Sequence, residues 1–163
     1  MTVKSYGILL YRKKPKGKKG HQIEVFLIQP NGPHFWGSKE YADVWGFPKG
    51  RKEEGEEPLE VAKREFHEEV GMEAPDLNYT ALRPLVTRSG KVITIFAGDA
   101  SHLAIEWNGS KVHTKRHYDG ANICLYQETR DGNWFDLEDA LKYIGKGQRQ
   151  VLDDFVSKVE SLV

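Results

Sequence analysis

The sequence contains a single cysteine, Cys124, among 163 residues. One cysteine cannot form a disulfide within the chain, so we expect a protein that folds in the reducing cytoplasm. No apolar run approaches the roughly 18–20 residues that cross a bilayer as a helix. The apolar stretch at residues 8–10 is also too short for the core of a signal peptide. These absences predict a cytoplasmic protein without a membrane partner.

Neither sign of charge is in excess, because 24 lysine and arginine residues balance 24 aspartate and glutamate residues. Proteins that coat nucleic acids gain affinity from a basic surface, so nucleic acid is not expected as a general partner. A small anionic substrate is compatible with this composition, because its binding depends on local charge. The length predicts a single domain over residues 1–163. The sequence leaves a homodimer open.

Apolar patterns predict both strands and helices along the chain. We expect strands at residues 4–12, 23–29, 79–86, 92–97 and 122–128, and an irregular polar stretch with one short strand at 98–119. We expect helices at 58–70, at 137–144 and after Gly147, the last with an apolar stripe of Val151, Leu152, Phe155, Val159 and Leu162. This order is typical of a layered α+β domain.

A basic run at residues 12–19, with six basic residues, joins the first two predicted strands. A Gly/Pro/Lys link of this kind favours a hairpin. Charge runs are usually solvated, so we interpret this one as an exposed loop. Contact with phosphates is the alternative.

The predicted helix 58–70 carries three clustered carboxylates, those of Glu65, Glu68 and Glu69. Residues three and four apart share a helix face, so Glu65 lies beside both of the others. Three such carboxylates repel one another unless a cation lies among them. Crowded carboxylate oxygens bind Mg²⁺ or Mn²⁺, usually together with waters and substrate phosphates. From the charge pattern alone, a solvated acidic face with an ordinary Arg64–Glu68 pair is the alternative.

The wider spacing favours the metal hypothesis. Gly50 is followed after five residues by Glu56 and after seven more by the run Arg64-Glu65-Phe66-His67-Glu68-Glu69-Val70-Gly71-Met72. This 23-residue pattern resembles the signature of the Nudix (MutT-like) hydrolases at every defined position. The resemblance implies an α+β Nudix fold, in which a mixed β-sheet is sandwiched between helices (α/β/α). It also implies metal-dependent hydrolysis of a nucleoside diphosphate derivative, with Mg²⁺ or Mn²⁺ as cofactor.

The same resemblance implies a role for each signature residue. Glu65, Glu68 and Glu69 would be metal ligands, one of which orients or deprotonates the attacking water, and Arg64 would hold these glutamates. Glu56 would pair with the arginine or support the loop, Gly50 would permit the tight loop, and the carbonyl of Lys49 would complete the metal coordination. Gly71 closes the motif and ends the helix.

One acid outside the signature is a further candidate. Glu128 lies six residues before Trp134-Phe135 and resembles the pre-tryptophan glutamate of the dinucleoside polyphosphate hydrolases in this family. It would act as a base or as an extra metal ligand. Asp131 is the competitor, and an acid in a surface turn is the structural alternative for either residue.

The substrate signals conflict. Pro48-Lys49-Gly50 resembles the dinucleoside tetraphosphate hydrolases, but Thr87-Arg88 stands where that branch has a tyrosine. Pro84 comes too early for the ADP-ribose branch. We predict a small nucleotide substrate, such as the dinucleoside polyphosphate diadenosine tetraphosphate. Nucleoside triphosphates, nucleotide sugars and capped RNA are alternative substrates, and a Nudix-fold isomerase or a nucleotide sensor without turnover are alternative functions.

Residues outside the signature are candidates for substrate contacts. Basic side chains that would bind phosphate are those of Lys49, Arg51, Arg88 and Lys91. Aromatic side chains that would stack on a base are those of Phe35, Trp36, Trp45 and Tyr118, although burial in the core is the usual role of such residues. His113 and His117 are conceivable metal ligands that a hard, oxygen-coordinated ion would not need.

Overall fold

The computed structural model describes residues 2–15, 21–37 and 44–162. Strands in these residues are β1 (Lys4–Pro15), β2 (His21–Pro30), β3 (Lys49–Arg51), β4 (Thr80–Ala81), β5 (Leu85–Val86), β6 (Val92–Asp99), β7 (Thr114–Asp119), β8 (Asn122–Gln127) and β9 (Thr129–Asp136). Helices are α1 (Pro58–Val70), α2 (Leu137–Tyr143) and α3 (Arg149–Leu162). Residues 12–15 of the basic run, which was expected to be an exposed loop, belong to β1 because they pair with β2, and residues 16–19 of the run lie outside the described residues.

A mixed sheet forms the centre of the molecule, with the strand order β4-β6-β1-β2-β9. The first strand, β1, runs parallel to β6 and antiparallel to β2, and the short β3 also pairs with β1. Because β1 is covered on both faces, its residues Ile8, Leu9 and Leu10 are all buried. A separate antiparallel pair, β7–β8, stands apart from this sheet.

Two hydrophobic layers pack against opposite faces of the sheet. Side chains alternate along a strand, so Ile8 packs toward Phe66 of α1 while Leu9 packs toward Phe155 of α3. The α/β/α sandwich expected from the sequence is therefore confirmed. The stripe of α3 is buried at Val151, Leu152, Phe155 and Val159, and the side chain of Leu162 lies outside the described residues.

Helix α1 has the predicted bounds. Pro58 occupies its first turn, and Gly71 ends it in the left-handed conformation with φ 84°. Its residues Val61, Ala62, Phe66 and Val70 are buried, so the helix is held on the sheet by one apolar face. The remaining face carries the signature carboxylates.

The sequence predicts no strand at residues 129–136 or 49–51, and it predicts one continuous strand at 79–86; the structure differs at all three places. The stretch from Thr129 to Asp136 is a strand, although its polar composition is typical of a turn. Pairing with β2 overrides the local preference there, as tertiary context often does for strands. The short strand β3 was missed, and the strand expected at 79–86 is divided into β4 and β5 by residues 82–84. No helix in the described part of the chain is long and apolar enough to cross a membrane.

Candidate active site

The acidic face of α1 meets two other parts of the fold. The backbone N–H of Lys49, in β3, donates to Oε2 of Glu69 at 3.0 Å. Glu128, between β8 and β9, brings its carboxylate to the same place, so that ligand atoms of Glu65, Glu69 and Glu128 all lie within 4.8 Å of one another. The structure therefore gathers two signature glutamates and the predicted outside acid into one cluster.

Arg64 holds one side of this cluster in place through ion pairs with neighbouring glutamates. Its Nε donates to Oε2 of Glu56 at 2.8 Å and one terminal nitrogen donates to Oε1 at 3.0 Å, which makes a two-point ion pair. The other terminal nitrogen lies 2.9 Å from Glu65 and 3.5 Å from Glu68. The hydrogen bond to Arg64 lowers the pKa of Glu56, and the same bond raises the pKa of Arg64. Arg64 therefore stays charged and holds Glu65 in place.

Burial and mutual repulsion disfavour the charged forms of Glu65 and Glu69. Burial raises the pKa of Glu65, and the negative charge of Glu68 raises it further. Burial also raises the pKa of Glu69, with added repulsion from Glu65 and Glu128. A divalent cation would remove this repulsion, and carboxylate oxygens are the ligands that Mg²⁺ and Mn²⁺ prefer. The donor set therefore fits such an ion.

The C-terminal turn of α1 is held by its surroundings. The last four carbonyls of a helix lack partners within the helix unless the following backbone or other groups supply them. Here each has a donor: Gly71 N–H for His67, His113 N–H for Glu68, Thr129 Oγ1 for Glu69 and Asn108 N–H for Val70. This turn carries Glu68 and Glu69, so the loop before β7 and the start of β9 position both carboxylates.

A cavity of about 760 Å³ opens over the cluster. Its lining combines the three carboxylates with the basic side chains of Lys49, Arg51, Lys91 and Lys115. Burial lowers the pKa of Lys91, and the nearby charges of Lys49 and Arg51 lower it further. Cations this close together are suited to an anion with several charges, such as a polyphosphate.

Three predicted base-stacking residues, Trp36, Tyr118 and Trp45, lie outside this lining. Trp36 donates from its indole N–H to the Asn31 carbonyl at 3.0 Å, and its ring packs edge-on against His117 and Tyr126. Tyr118 is 62% exposed on β7 and lies three residues after Lys115, so alternation directs it to the opposite face of the strand. Trp45 packs against Phe135 in the core region.

Other candidates are also placed elsewhere. Asp131 accepts a hydrogen bond from the Gly132 N–H at 2.8 Å and lines a separate groove with Arg12 and Trp134. Arg88 is exposed in the turn before β6 and is outside the cavity lining.

The structure adds cavity residues that the sequence analysis missed. Lys115 and Tyr126 are cross-strand partners in the β7–β8 pair, and both line the cavity, as does His34. Phe35, a predicted aromatic candidate, lines it too. Lys115 and Tyr126 could not be paired from the sequence, because the one short strand expected within residues 98–119 was not located and no hairpin register was available.

Comparison with known proteins shows a family model that matches most of this chain. The NUDIX domain model matches residues 1–155. A curated relative from Hydrogenovibrio crunogenus, named RNA pyrophosphohydrolase, is 38% identical over 55 residues, which is 34% of this chain and 33% of that protein. A protein of the same name from Francisella tularensis subsp. mediasiatica is 35% identical over 66 residues, 39% of this chain and 43% of that protein. The matches thus span less than half of these relatives.

A solved structure supports the fold. A binary complex of the C. elegans Ap4A hydrolase superimposes with a TM-score of 0.63 at 21% identity. The alignment covers 96% of this chain and 98% of that chain. At this level of identity the likeness extends to the architecture alone.

Proposed function

The chain belongs to the Nudix family, and from this premise we propose that it is a metal-dependent hydrolase that cleaves a diphosphate linkage in a nucleoside diphosphate derivative. The observation that carries the proposal is the cluster of Glu65, Glu69 and Glu128 at the base of a cavity with basic walls. The intact set of carboxylates favours turnover over a sensor role. We further propose that residues 1–163 act as one domain in a reducing compartment.

Glu65, Glu69 and Glu128 would hold Mg²⁺ or Mn²⁺, with the Lys49 carbonyl as an additional donor. When bound, such an ion neutralises phosphate charge and makes bound water more acidic. A carboxylate of the cluster accepts the proton of the attacking water. The water oxygen bonds to phosphorus as the bridging P–O bond breaks, and the electron pair of that bond leaves with the departing phosphate oxygen. Positioning and charge stabilisation supply most of the catalysis in reactions of this type.

The basic residues of the cavity bind the rest of the phosphate chain in this proposal. Lys49, Arg51 and Lys91 lie on its wall and would contact phosphate oxygens. A chain of four phosphates is complementary to this concentration of charge. We therefore propose a dinucleoside polyphosphate, such as diadenosine tetraphosphate, as substrate, with Phe35 and Tyr126 beside a nucleoside.

RNA with a 5′ pyrophosphate or triphosphate is the second candidate substrate. Two curated relatives carry the name RNA pyrophosphohydrolase. The exposed β7 strand also offers Arg116 and Tyr118 beyond the cavity, a basic and aromatic combination that suits single-stranded RNA.

A substrate panel tests this proposal. We would incubate the protein with Mg²⁺, and separately with Mn²⁺, and quantify products from diadenosine tetraphosphate, 5′-triphosphate RNA, capped RNA, nucleoside triphosphates, ADP-ribose and nucleotide sugars. Preferential release of ATP from diadenosine tetraphosphate is expected. Preferential release of pyrophosphate or phosphate from RNA would replace the first substrate with the second. Absence of turnover by the folded, metal-supplied protein would contradict the hydrolase proposal.

A further inference from the structure

Glu128 is held by a neighbouring cation. Its Oε1 lies 3.0 Å from Nζ of Lys115 and 3.3 Å from Nδ1 of His113. The Glu128 side chain is 10% exposed, whereas that of Lys115 is 54% exposed.

Backbone contacts keep these groups together. The N–H of Glu128 donates to the His113 carbonyl at 3.0 Å, directly beyond the last pair of the β7–β8 register, Thr114 with Gln127. Lys115 therefore starts from a fixed backbone position one residue into β7. Its side chain, with four rotatable bonds, is the mobile part of the contact.

The three carboxylates of the cluster are held by different kinds of group. Glu65 contacts Arg64, which Glu56 holds by two further hydrogen bonds. Glu69 accepts from a backbone N–H, which cannot leave without moving β3. Lys115 differs from both because its ammonium group can leave Glu128 by rotation of its own side chain. It can do so without leaving the cavity that it lines.

A divalent cation at the cluster would compete with Lys115 for the charge of Glu128. Oε1 of Glu128 would be shared between the divalent cation and Lys115, and two cations beside one carboxylate repel each other. A lysine released from Glu128 would remain over the cluster, where the phosphate groups of a substrate would lie. Its flexible stem and three rotatable donors suit such an exchange better than a rigid guanidinium group.

We propose that Lys115 is an exchangeable counter-ion, which neutralises Glu128 before the divalent cation binds and then moves to a substrate phosphate. This inference rests on the proposed function, because it requires both a metal ion and a phosphate substrate. Lys115 thereby couples the two binding events: the metal frees the lysine, and the freed lysine adds a contact for the substrate.

Mn²⁺ binding, measured by the EPR signal of the free ion and without substrate, tests the first half. Lys115→Met should tighten the Mn²⁺ dissociation constant about 5-fold, because a competing cation is removed. The matched control is Arg116→Met, which removes one positive charge from the next residue of the same strand. Alternation places Arg116 on the other face of β7, opposite Leu125, so its Mn²⁺ affinity should match that of the wild type.

The second half is tested by hydrolysis at saturating Mn²⁺. Lys115→Met should raise KM about 10-fold through loss of a charged hydrogen bond, although it binds the metal more tightly. Lys115→Arg should retain more of the substrate affinity and show no tightening of Mn²⁺ binding. Tighter Mn²⁺ binding together with a higher KM for the substrate is the result that exchange predicts for Lys115→Met.

The outcomes separate this inference from the proposed function. Unchanged or weakened Mn²⁺ binding in Lys115→Met, alongside a wild type that binds Mn²⁺ and hydrolyses substrate, would overturn the exchange and leave the hydrolase proposal standing. Equal tightening in Arg116→Met would also overturn it, because the effect would then be general electrostatics. A wild type that binds no Mn²⁺ would overturn both proposals.

Discussion

The carboxylate of Glu65 occupies the space that a side chain at Gly50 would need. A Cβ built on Gly50 would overlap the Cδ and both carboxylate oxygens of Glu65. Gly50 is thus required because β3 and α1 approach each other closely. Its backbone angle does not require a glycine, since its φ is not positive. The loop and the helix can share one site because this position has no side chain.

Gly50→Ala should therefore displace Glu65 and impair catalysis more than folding. The carboxylate is the end of a flexible side chain, so it can rotate away while the backbone stays in place. We expect a fall in kcat of about 10–100-fold, as for other residues that position metal ligands. Thermal unfolding should change by only a few degrees. Gly147→Ala, at an open position in the turn before α3, is the control. Unchanged kcat in Gly50→Ala would contradict the packing argument.

Arg64→Lys tests whether the guanidinium geometry matters beyond its charge. A lysine keeps the positive charge but cannot bind both oxygens of Glu56 while also reaching Glu65. We expect kcat to fall about 10–100-fold with little change in the circular dichroism spectrum. Arg83→Lys, at an exposed position, should be neutral. Full activity in Arg64→Lys would show that charge alone is sufficient.

Thr129→Val should destabilise the fold and disturb the site together. Thr129 is buried, and its Oγ1 accepts from the Trp107 indole N–H at 2.9 Å and donates to the Glu69 carbonyl. The isosteric valine leaves both partners unsatisfied, at a cost of about 1–3 kcal/mol. Urea denaturation measures this cost, and kcat reports any displacement of Glu69. The exposed Thr80→Val is the control, and equal stability of the two variants would refute the capping role.

The raised pKa of Tyr79 predicts that the folded protein loses stability at alkaline pH. Burial raises the pKa of Tyr79 to about 12, with a further contribution from Asp76. Below about pH 10 the phenol is neutral in both the folded and unfolded states. Between about pH 10 and 12 the unfolded chain releases this proton while the folded chain keeps it, so rising pH favours unfolding. Partial exposure limits the effect to the order of 1 kcal/mol.

Tyr79→Phe should remove this contribution. Urea midpoints measured at pH 9 and pH 11.5 should fall by less in Tyr79→Phe than in the wild type. A reduction of equal size in both proteins would show that other groups cause the alkaline sensitivity.

The sequence was sufficient to place together the candidate site residues that lie on one helix. Glu65, Glu68, Glu69 and Arg64 share α1, whose helical period and glycine stop are local features. Glu128 was a candidate because its position resembles that of the pre-tryptophan glutamate of dinucleoside polyphosphate hydrolases, and the structure brings it to the cluster.

The remaining parts depend on contacts between distant segments. Lys115 and Tyr126 face the cavity because of the β7–β8 register, which local composition does not determine. Trp36 packs against His117 and Tyr126, and alternation along β7 places Tyr118 on the face opposite Lys115, so neither ring lines the cavity. The polar sequence of β9 is typical of a turn. It forms a strand because it pairs with the edge of β2.

The central claim is most directly tested by comparing diadenosine tetraphosphate hydrolysis in the wild type and Glu69→Gln over a Mg²⁺ titration. The substituted amide would retain the shape of the side chain and the contact with the Lys49 N–H but lose the charge needed for the cation. Glu60→Gln, also on α1 and exposed, is the matched control. We predict a loss of about 100-fold or more in kcat for Glu69→Gln, with unchanged thermal unfolding and a normal control. Metal-dependent turnover at the wild-type rate in Glu69→Gln would contradict the assignment of this cluster as the active site.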